Sequence, residues 1–326
     1  NTGLPYTSSN GAMHACGHDL HMTSLIGTAG VLIQKKNAWK GALIFIAQPA
    51  EEKGAGAQSM IDAGLFTRFP KPDFALALHV DSQLPAGKIG YQSGFAFANV
   101  DSVDVTFYGR GGHGAYPHLT IDPIVMAAGY VSALQTIVSR KIKPYESAVV
   151  TVGSIHGGTK HNIIPNDVKL ELTIRSYLDT VRAQIHESLE RLAQGIAQAH
   201  GAPKPPEIKI TESIPSTYND PPLAARLAPI LEKAVGKDQV GQKDPEMGGE
   251  DFGLFGRTGI PAFLFRVGSA SEEKFKRSKM PGGEPLVSLH SSTYVPELPL
   301  TLVTGIRAMT ACVLELLVPL PTCYER

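Results

Sequence analysis

Two short apolar runs, Ala42–Ala47 and Phe74–Leu78, each end in residues that a buried strand has no use for. The first leads into Gln48-Pro49-Ala50-Glu51-Glu52 and the second into His79. Continuous apolar runs of this length fit strands buried on both faces of a parallel sheet. The stretch from Ser59 to Leu65 reads as a crossover helix between them. Strand, helix and strand with polar residues at the strand ends predict an open α/β sheet, whose sites lie beyond the carboxyl ends of its strands.

Upstream, Met13-His14-Ala15-Cys16-Gly17-His18-Asp19-Leu20-His21 crowds a thiol, three imidazoles and a carboxylate in front of an apolar helical run, His18 to Lys36. Such groups must be ligated or hydrogen-bonded once buried, so packing alone does not account for them. Cys16 and His18 are one residue apart, and an extended loop lets both aim at one centre. Zinc accepts thiolate and imidazole together, and a thiolate can bridge two ions. The competing reading is a core cysteine beside a helix-capping histidine.

The adjacent Glu51 and Glu52 suggest a division of labour, with one carboxylate holding metal and the other serving as general base on a metal-activated water. Two solvated loop glutamates are the plainer alternative. His79, and His290 within Ser288-Leu289-His290-Ser291-Ser292-Thr293-Tyr294, are each a ligand candidate or a hydrogen-bonded structural histidine.

The pattern changes near residue 100. Alternating stretches at 102–108, 148–155, 168–174 and 207–211 are interleaved with helical ones at 122–140 and 179–200, and Ile164-Pro165-Asn166-Asp167 marks a turn. The order β-α-β-β-α-β is the ferredoxin-like unit. From about Tyr218 the α/β character returns, with a helix over 222–235, a Gly-Glu-Asp turn over 249–255, a buried strand over 262–267 and a closing helix over 299–317. The fold class expected is α/β. A catalytic domain with a mostly parallel central sheet (1–100 and 214–326) is interrupted by an inserted ferredoxin-like domain (101–213).

Composition narrows the partners. A formal net charge of +0 gives no electrostatic reason to expect nucleic acid or an anionic membrane. No run approaches the about 18 uncharged apolar residues of a bilayer span. Cys16, Cys312 and Cys323 are too few and too scattered for a disulfide framework, which leans towards a reducing, cytoplasmic compartment. The chain opens at Asn1, and Thr2–Tyr6 read as mid-loop, as in a processed product or a fragment of a longer chain.

Taken in order, the motifs Cys16-Gly17-His18-Asp19, Pro49-Ala50-Glu51-Glu52, Ala77-Leu78-His79-Val80, Gly109–His118, Asn162-Ile163-Ile164-Pro165 and Met247–Phe252, with the His290 segment, resemble the M20 metallopeptidase family. Its amidohydrolase branch, which includes hippurate hydrolase, N-acyl-amino-acid aminoacylases and auxin-conjugate hydrolases, is the most similar. The resemblance implies two divalent ions per subunit, zinc, manganese, cobalt or nickel. Cys16 would bridge them, His18 and His79 would complete one ion, and Glu52 and His290 the other. Glu51 would be the general base.

The inserted domain would serve as lid and homodimer interface. From it His113 would stabilise the oxyanion, reaching into the partner subunit's site, while Asn162 and Arg175 would hold the free carboxylate of a small N-acyl amino acid or peptide substrate. Glu250 and Asp251 would orient a ligating histidine. His14, His21, His118, His156 and His161 are assigned no role.

Two stretches depart from the family pattern. An N-terminal segment with an Arg-x-Asp-x-Asp-Ala-Leu-Pro strand is not in this sequence, and Glu171-Leu172-Thr173-Ile174-Arg175 stands where many relatives have Gly-Thr-x-Arg. The function expected is hydrolysis of the amide bond of N-acyl or N-aroyl amino acids. Carboxypeptidase or dipeptidase activity, a non-catalytic binding relative, and a hydrolase with Cys16 as nucleophile are the alternatives. The last predicts resistance to chelators.

Overall fold

The second apolar run forms the strand Ala75–Pro85, which pairs in parallel with Ala262–Ala270 and sets His79 opposite Arg266 and Val80 opposite Val267. Ala262–Ala270 is buried along its whole length, as a central strand covered on both faces must be. The sheet continues with Ile89–Tyr91, antiparallel to Ala262–Ala270, and Val240–Gln242, parallel to Ile89–Tyr91. These coordinates are a computed structural model and describe residues 1–317. Cys323 lies outside the described residues.

The two faces of this sheet carry different chemistry. Phe263, Phe265 and Val267 pack against Leu223, Leu227 and Leu231 of the helix Pro221–Val235 and against Ala308 and Cys312 of the helix Leu298–Leu317. On the other face Ala75, Ala77 and Leu264 meet Ala57, Leu65, Phe252 and Phe255. Side chains two apart along a strand share a face. His79 therefore continues the row of Ala75 and Ala77 and emerges where that apolar layer ends.

A second, antiparallel sheet runs in the order Ala148–His156, Asp167–Ser176, Asn99–Tyr108, Glu207–Ile214. The helices Pro123–Arg140 and Asp179–Ala199 cover it, burying Tyr130, Leu134, Ile137, Ile185 and Leu189 against Val105, Phe107, Leu170 and Ile174. This is the β-α-β-β-α-β order of the alternating stretches. Both ends of the unit meet at the fully buried Asn99. Its Oδ1 accepts from the Ser216 backbone N–H at 2.7 Å, and its Nδ2 donates to the Tyr177 carbonyl at 3.1 Å.

Several expectations need correction. Ala42–Ala47 is not a strand, because no ladder forms to it among the described residues. Among the described residues Ala75–Pro85 pairs with another strand along one edge only, Ala262–Ala270, and the run contributes Ile46 to the Ala75 and Ala77 layer by side-chain packing. The crossover helix is broken in two, Gly56–Asp62 and Leu65–Arg68, at Gly64 with φ 86°. The turn over 249–255 leads into a short helix, Gly253–Arg257. Leu298–Leu317 is long and apolar enough to match a bilayer span, which a count of uncharged residues misses because Arg307 and Glu315 interrupt the run. It packs against the helices His18–Gln34 and Pro221–Val235 and the central strands, and Glu315 pairs with Arg226 at 3.0 Å.

Candidate metal centre

The site begins with a glycine. Gly17 has φ 79° and caps the helix His18–Gln34, and a Cβ there would lie 2.3 Å from Val80 Cγ2. Only glycine satisfies both conditions without strain. The Cys16–His18 turn is thereby laid directly on the strand end that carries His79.

Two further segments arrive with positive φ at non-glycine residues. Ala50, at φ 54°, starts the single turn that holds Glu51 and Glu52, and His290 itself has φ 66°. Left-handed backbone at an alanine or a histidine costs of order 1 kcal/mol and persists only where its surroundings impose it. For His290 the surroundings are visible. Its backbone N–H donates to the Ala15 carbonyl at 2.8 Å, and Tyr294 further along the loop is hydrogen-bonded to the buried Ser269 at 2.7 Å.

These constraints gather six side chains. Cys16 Sγ lies 3.1 Å from His290 Nε2 and 3.6 Å from His79 Nε2. His18 Nε2 lies 3.3 Å from Glu51 Oε2 and 3.8 Å from Glu52 Oε1, and His290 Nε2 lies 3.6 Å from Glu52 Oε1. Cys16, His18 and His79 present donor atoms within 4.8 Å of one another, and so do Cys16, Glu52 and His290. Cys16 thus belongs to both triads. Among the described residues no lysine or arginine pairs with Glu51 or Glu52. A thiol, imidazoles and carboxylates converging without a cationic side chain fit borderline divalent ions.

Electrostatics support the same assignment. Burial first, then the neighbouring Glu52 and Glu51 charges, pushes the Cys16 thiol far above its ordinary range, so the free thiol stays protonated and is a poor nucleophile. A hydrogen bond to the Glu51 carboxylate raises the His18 pKa against the opposing effect of burial. Burial lowers His79, whose Nδ1 is hydrogen-bonded to the Val80 carbonyl at 2.7 Å. That bond leaves Nε2 as the lone pair facing Cys16.

Glu250 and Asp251 lie close to Glu51, and their hydrogen bonds run to other partners than a histidine among the described residues. Asp251 accepts from Gln48 Nε2 at 2.6 Å and from the Ala57 N–H at 3.0 Å, bracing the loop on both sides of Glu51 and Glu52. Burial raises its pKa. Glu250, whose Oε1 accepts from the Phe252 N–H at 3.0 Å, is pushed up to about 8 by burial and by Glu51. Burial beside Glu51 thus favours its neutral form.

The three residues expected from the inserted domain belong to neither triad among the described residues. His113 is exposed on a two-residue ladder with Ile163, its Nδ1 accepting from the Ala115 N–H at 3.1 Å. Asn162 lies beside it, its carbonyl accepting from the Gly114 N–H at 2.8 Å. Arg175 is half-buried, and donates to Thr173 Oγ1 at 2.9 Å and to the Met247 carbonyl at 3.4 Å. No carboxylate pairs with it among the described residues, and burial lowers its pKa. Met247 leads directly into Gly248-Gly249-Glu250, so the guanidinium is tied to the segment that carries Glu250.

Two contributors escaped the sequence reading. Gln48 is one. The other is His21, whose Nε2 accepts from the Val80 N–H at 3.0 Å and whose ring stands 4.5 Å from that of His79. Its spacing of three from His18 on a helix was the available sign, since residues i and i+3 share a helix face.

The sequence profile of peptidase family M20/M25/M40 matches residues 1–282. N-acetylcysteine deacetylase of Bacillus subtilis (strain 168) is 35% identical over 298 residues, 91% of this chain and 76% of that protein. N-acetyldiaminopimelate deacetylase of the same organism is 38% identical over 283 residues, 86% of this chain and 73% of that protein. Thermostable carboxypeptidase 1 of Saccharolobus solfataricus is 35% identical over 278 residues, covering 84% and 68%. Among solved structures, the Bacillus subtilis YXEP protein, described as a dinuclear metal binding peptidase from the M20 family, superposes with a TM-score of 0.73 at 30% identity, covering 98% of this chain and 78% of that one. With the profile match over most of its length and these relatives on either side of the deacetylase and carboxypeptidase divide, the chain belongs to peptidase family M20/M25/M40 and is a metal-dependent amide hydrolase.

Proposed function

We propose that the protein hydrolyses the amide bond of N-acyl or N-aroyl amino acids, using two divalent ions. Cys16, His18 and His79 would hold one ion and Cys16, Glu52 and His290 the other. The observation that carries this reading is the shared position of Cys16, whose Sγ belongs to both triads. Ions bound there would supply Lewis-acid polarisation of the amide carbonyl and would acidify a water.

The chain's own residues account for the remaining steps. Glu51 takes the proton of the attacking water and returns it to the leaving amine nitrogen, as a general base and then a general acid. Its pairing with His18 at 3.3 Å places it beside the first triad, with Glu250 and Asp251 as its further neighbours. Arg175, half-buried and without an acidic partner among the described residues, receives the substrate's free carboxylate, and Asn162, which lies beside His113, assists it. His113 stabilises the oxyanion from a second copy of the chain. Its exposure and its absence from the ligand triads among the described residues support that role, and the unit over 101–213 then serves as lid and dimer contact. The cysteine usage favours a reducing, cytoplasmic compartment.

The 35% identity to thermostable carboxypeptidase 1 favours a second reading, cleavage of a C-terminal residue from a peptide. A substrate panel separates the two. N-acetyl and N-benzoyl amino acids, dipeptides, and the same compounds with the carboxylate amidated would be offered to the metal-loaded protein. Fastest turnover of the N-acyl amino acids, and loss of turnover on amidation, is the expected pattern. Preference for dipeptides would transfer the assignment to the peptidase reading, and indifference to amidation would remove Arg175 from it.

A further inference from the structure

We infer that His21 is a positioning residue that fixes the ring and tautomer of His79 by way of Val80. The inference rests on the proposed role of His79 as a metal-holding residue.

Three contacts converge on Val80. The Gly17 backbone packs against its side chain so closely that a Cβ would overlap Val80 Cγ2 at 2.3 Å. The His79 Nδ1–H donates to its carbonyl at 2.7 Å, and its own N–H donates to His21 Nε2 at 3.0 Å. A backbone N–H can only donate, so His21 Nε2 must be unprotonated and its ring proton must sit on Nδ1. A carbonyl can only accept, so His79 Nδ1 carries the proton and Nε2 presents the lone pair towards Cys16 Sγ.

The two rings therefore hold opposite ends of one residue. They also touch, at 4.5 Å between centroids and 61° between planes, and His21 stands 5.3 Å from the His18 ring. Removing the His21 acceptor strands the Val80 N–H in a part-buried position. That loosens the peptide that precedes the carbonyl aiming His79. Histidine ligands elsewhere depend on a partner for their second nitrogen, and loss of such a partner weakens metal binding about 10- to 100-fold. In this fold the partner is the main chain, and His21 holds the main chain.

The test uses His21→Phe, which keeps an aromatic ring without an acceptor, and His21→Gln, whose side-chain oxygen can accept from the Val80 N–H. Each metal-free protein would be titrated with Co²⁺ against a competing chelator while the thiolate-to-cobalt absorption band is followed. Wild type should bind two equivalents. His21→Phe should lose roughly 10- to 100-fold in affinity at one of them, with an altered band, and His21→Gln should recover most of the loss. Wild-type affinity at both sites in His21→Phe would overturn the inference while leaving the metal reading intact. A wild-type protein that binds no Co²⁺ would overturn both.

Should His21→Phe fail to fold, a spectrum of the ¹⁵N-histidine-labelled metal-free wild type decides the matter. The inference requires the proton on Nδ1 in both His21 and His79. A proton on Nε2 of either ring would contradict it.

Discussion

His290 Nε2 stands 3.1 Å from Cys16 Sγ, and the His290 backbone N–H is hydrogen-bonded to the carbonyl of Ala15 at 2.8 Å. Side chain and main chain of one residue thus tie the C-terminal loop to the Cys16 turn. The strained φ of 66° at His290 is what lets both contacts form at once. The centre is closed by tertiary contacts between distant segments, so its integrity should respond to changes at Cys16 more sharply than the fold does.

Cys16→Ser replaces the atom shared by both triads with a smaller, harder donor. The variant should fold, because Cys16 contributes little apolar volume to the layers on either side of the sheet. Metal content measured after exhaustive dialysis should fall for both ions together, and hydrolysis with it. Loss of one ion alone would show that Cys16 does not bridge.

Glu51→Gln keeps the shape of the side chain and removes the base. General acid–base groups contribute typically 10²- to 10⁴-fold, so kcat should fall by about that factor with KM and metal content little changed. Retention of kcat would assign the proton transfer to another group. A fall in metal content would make Glu51 a ligand instead.

Arg175→Ala should act on binding. Hydrogen bonds to a charged group contribute about 1.5–3 kcal/mol, so kcat/KM for carboxylate substrates should drop by roughly 10- to 100-fold, chiefly through KM. Substrates with the carboxylate amidated should be hydrolysed equally by variant and wild type. An equal loss on both classes would mean that Arg175 acts by holding Met247 and its loop.

The buried Asp101 gives a stability signature separate from catalysis. Burial alone would raise its pKa, but hydrogen bonds from His186 at 2.8 Å and from Arg182 outweigh that and hold it down at about 2, against 3.8 ordinarily. A depressed folded-state pKa stabilises the protein above the unfolded-state value and loses its effect as pH falls through the folded one. The contribution is therefore complete above roughly pH 5 and disappears between about pH 4 and pH 2. Allowing for water at the Arg182 side, Asp101→Asn should cost about 1–2 kcal/mol at neutral pH and less at pH 2–3. Denaturant titrations at pH 7 and pH 3 check it, and a cost that does not shrink at low pH would contradict the assignment.

Much of this architecture was legible from periodicity. The apolar run before His79 and the alternating stretches of the second sheet became strands because their patterns match burial on two faces and on one. Ala42–Ala47 looked equally strand-like, but a strand is defined by its neighbour, and pairing is not written into a run's own composition. Cys16, His18, Glu51, Glu52, His79 and His290 were legible because their chemistry is costly to bury without purpose. His21 and Gln48 were not, since their partners, the Val80 N–H and Asp251, exist only once distant segments meet. The φ of Ala50 is equally invisible in a sequence that offers no glycine there.

Metal stoichiometry against activity tests the central claim most directly. The protein would be stripped with a chelator and reloaded stepwise with Mn²⁺ or Zn²⁺ while hydrolysis of an N-acetyl amino acid is followed. Activity should vanish on stripping, return on reloading and reach its plateau at two equivalents per chain. Activity that survives complete removal of metal would contradict the account and hand the chemistry to the Cys16 thiol.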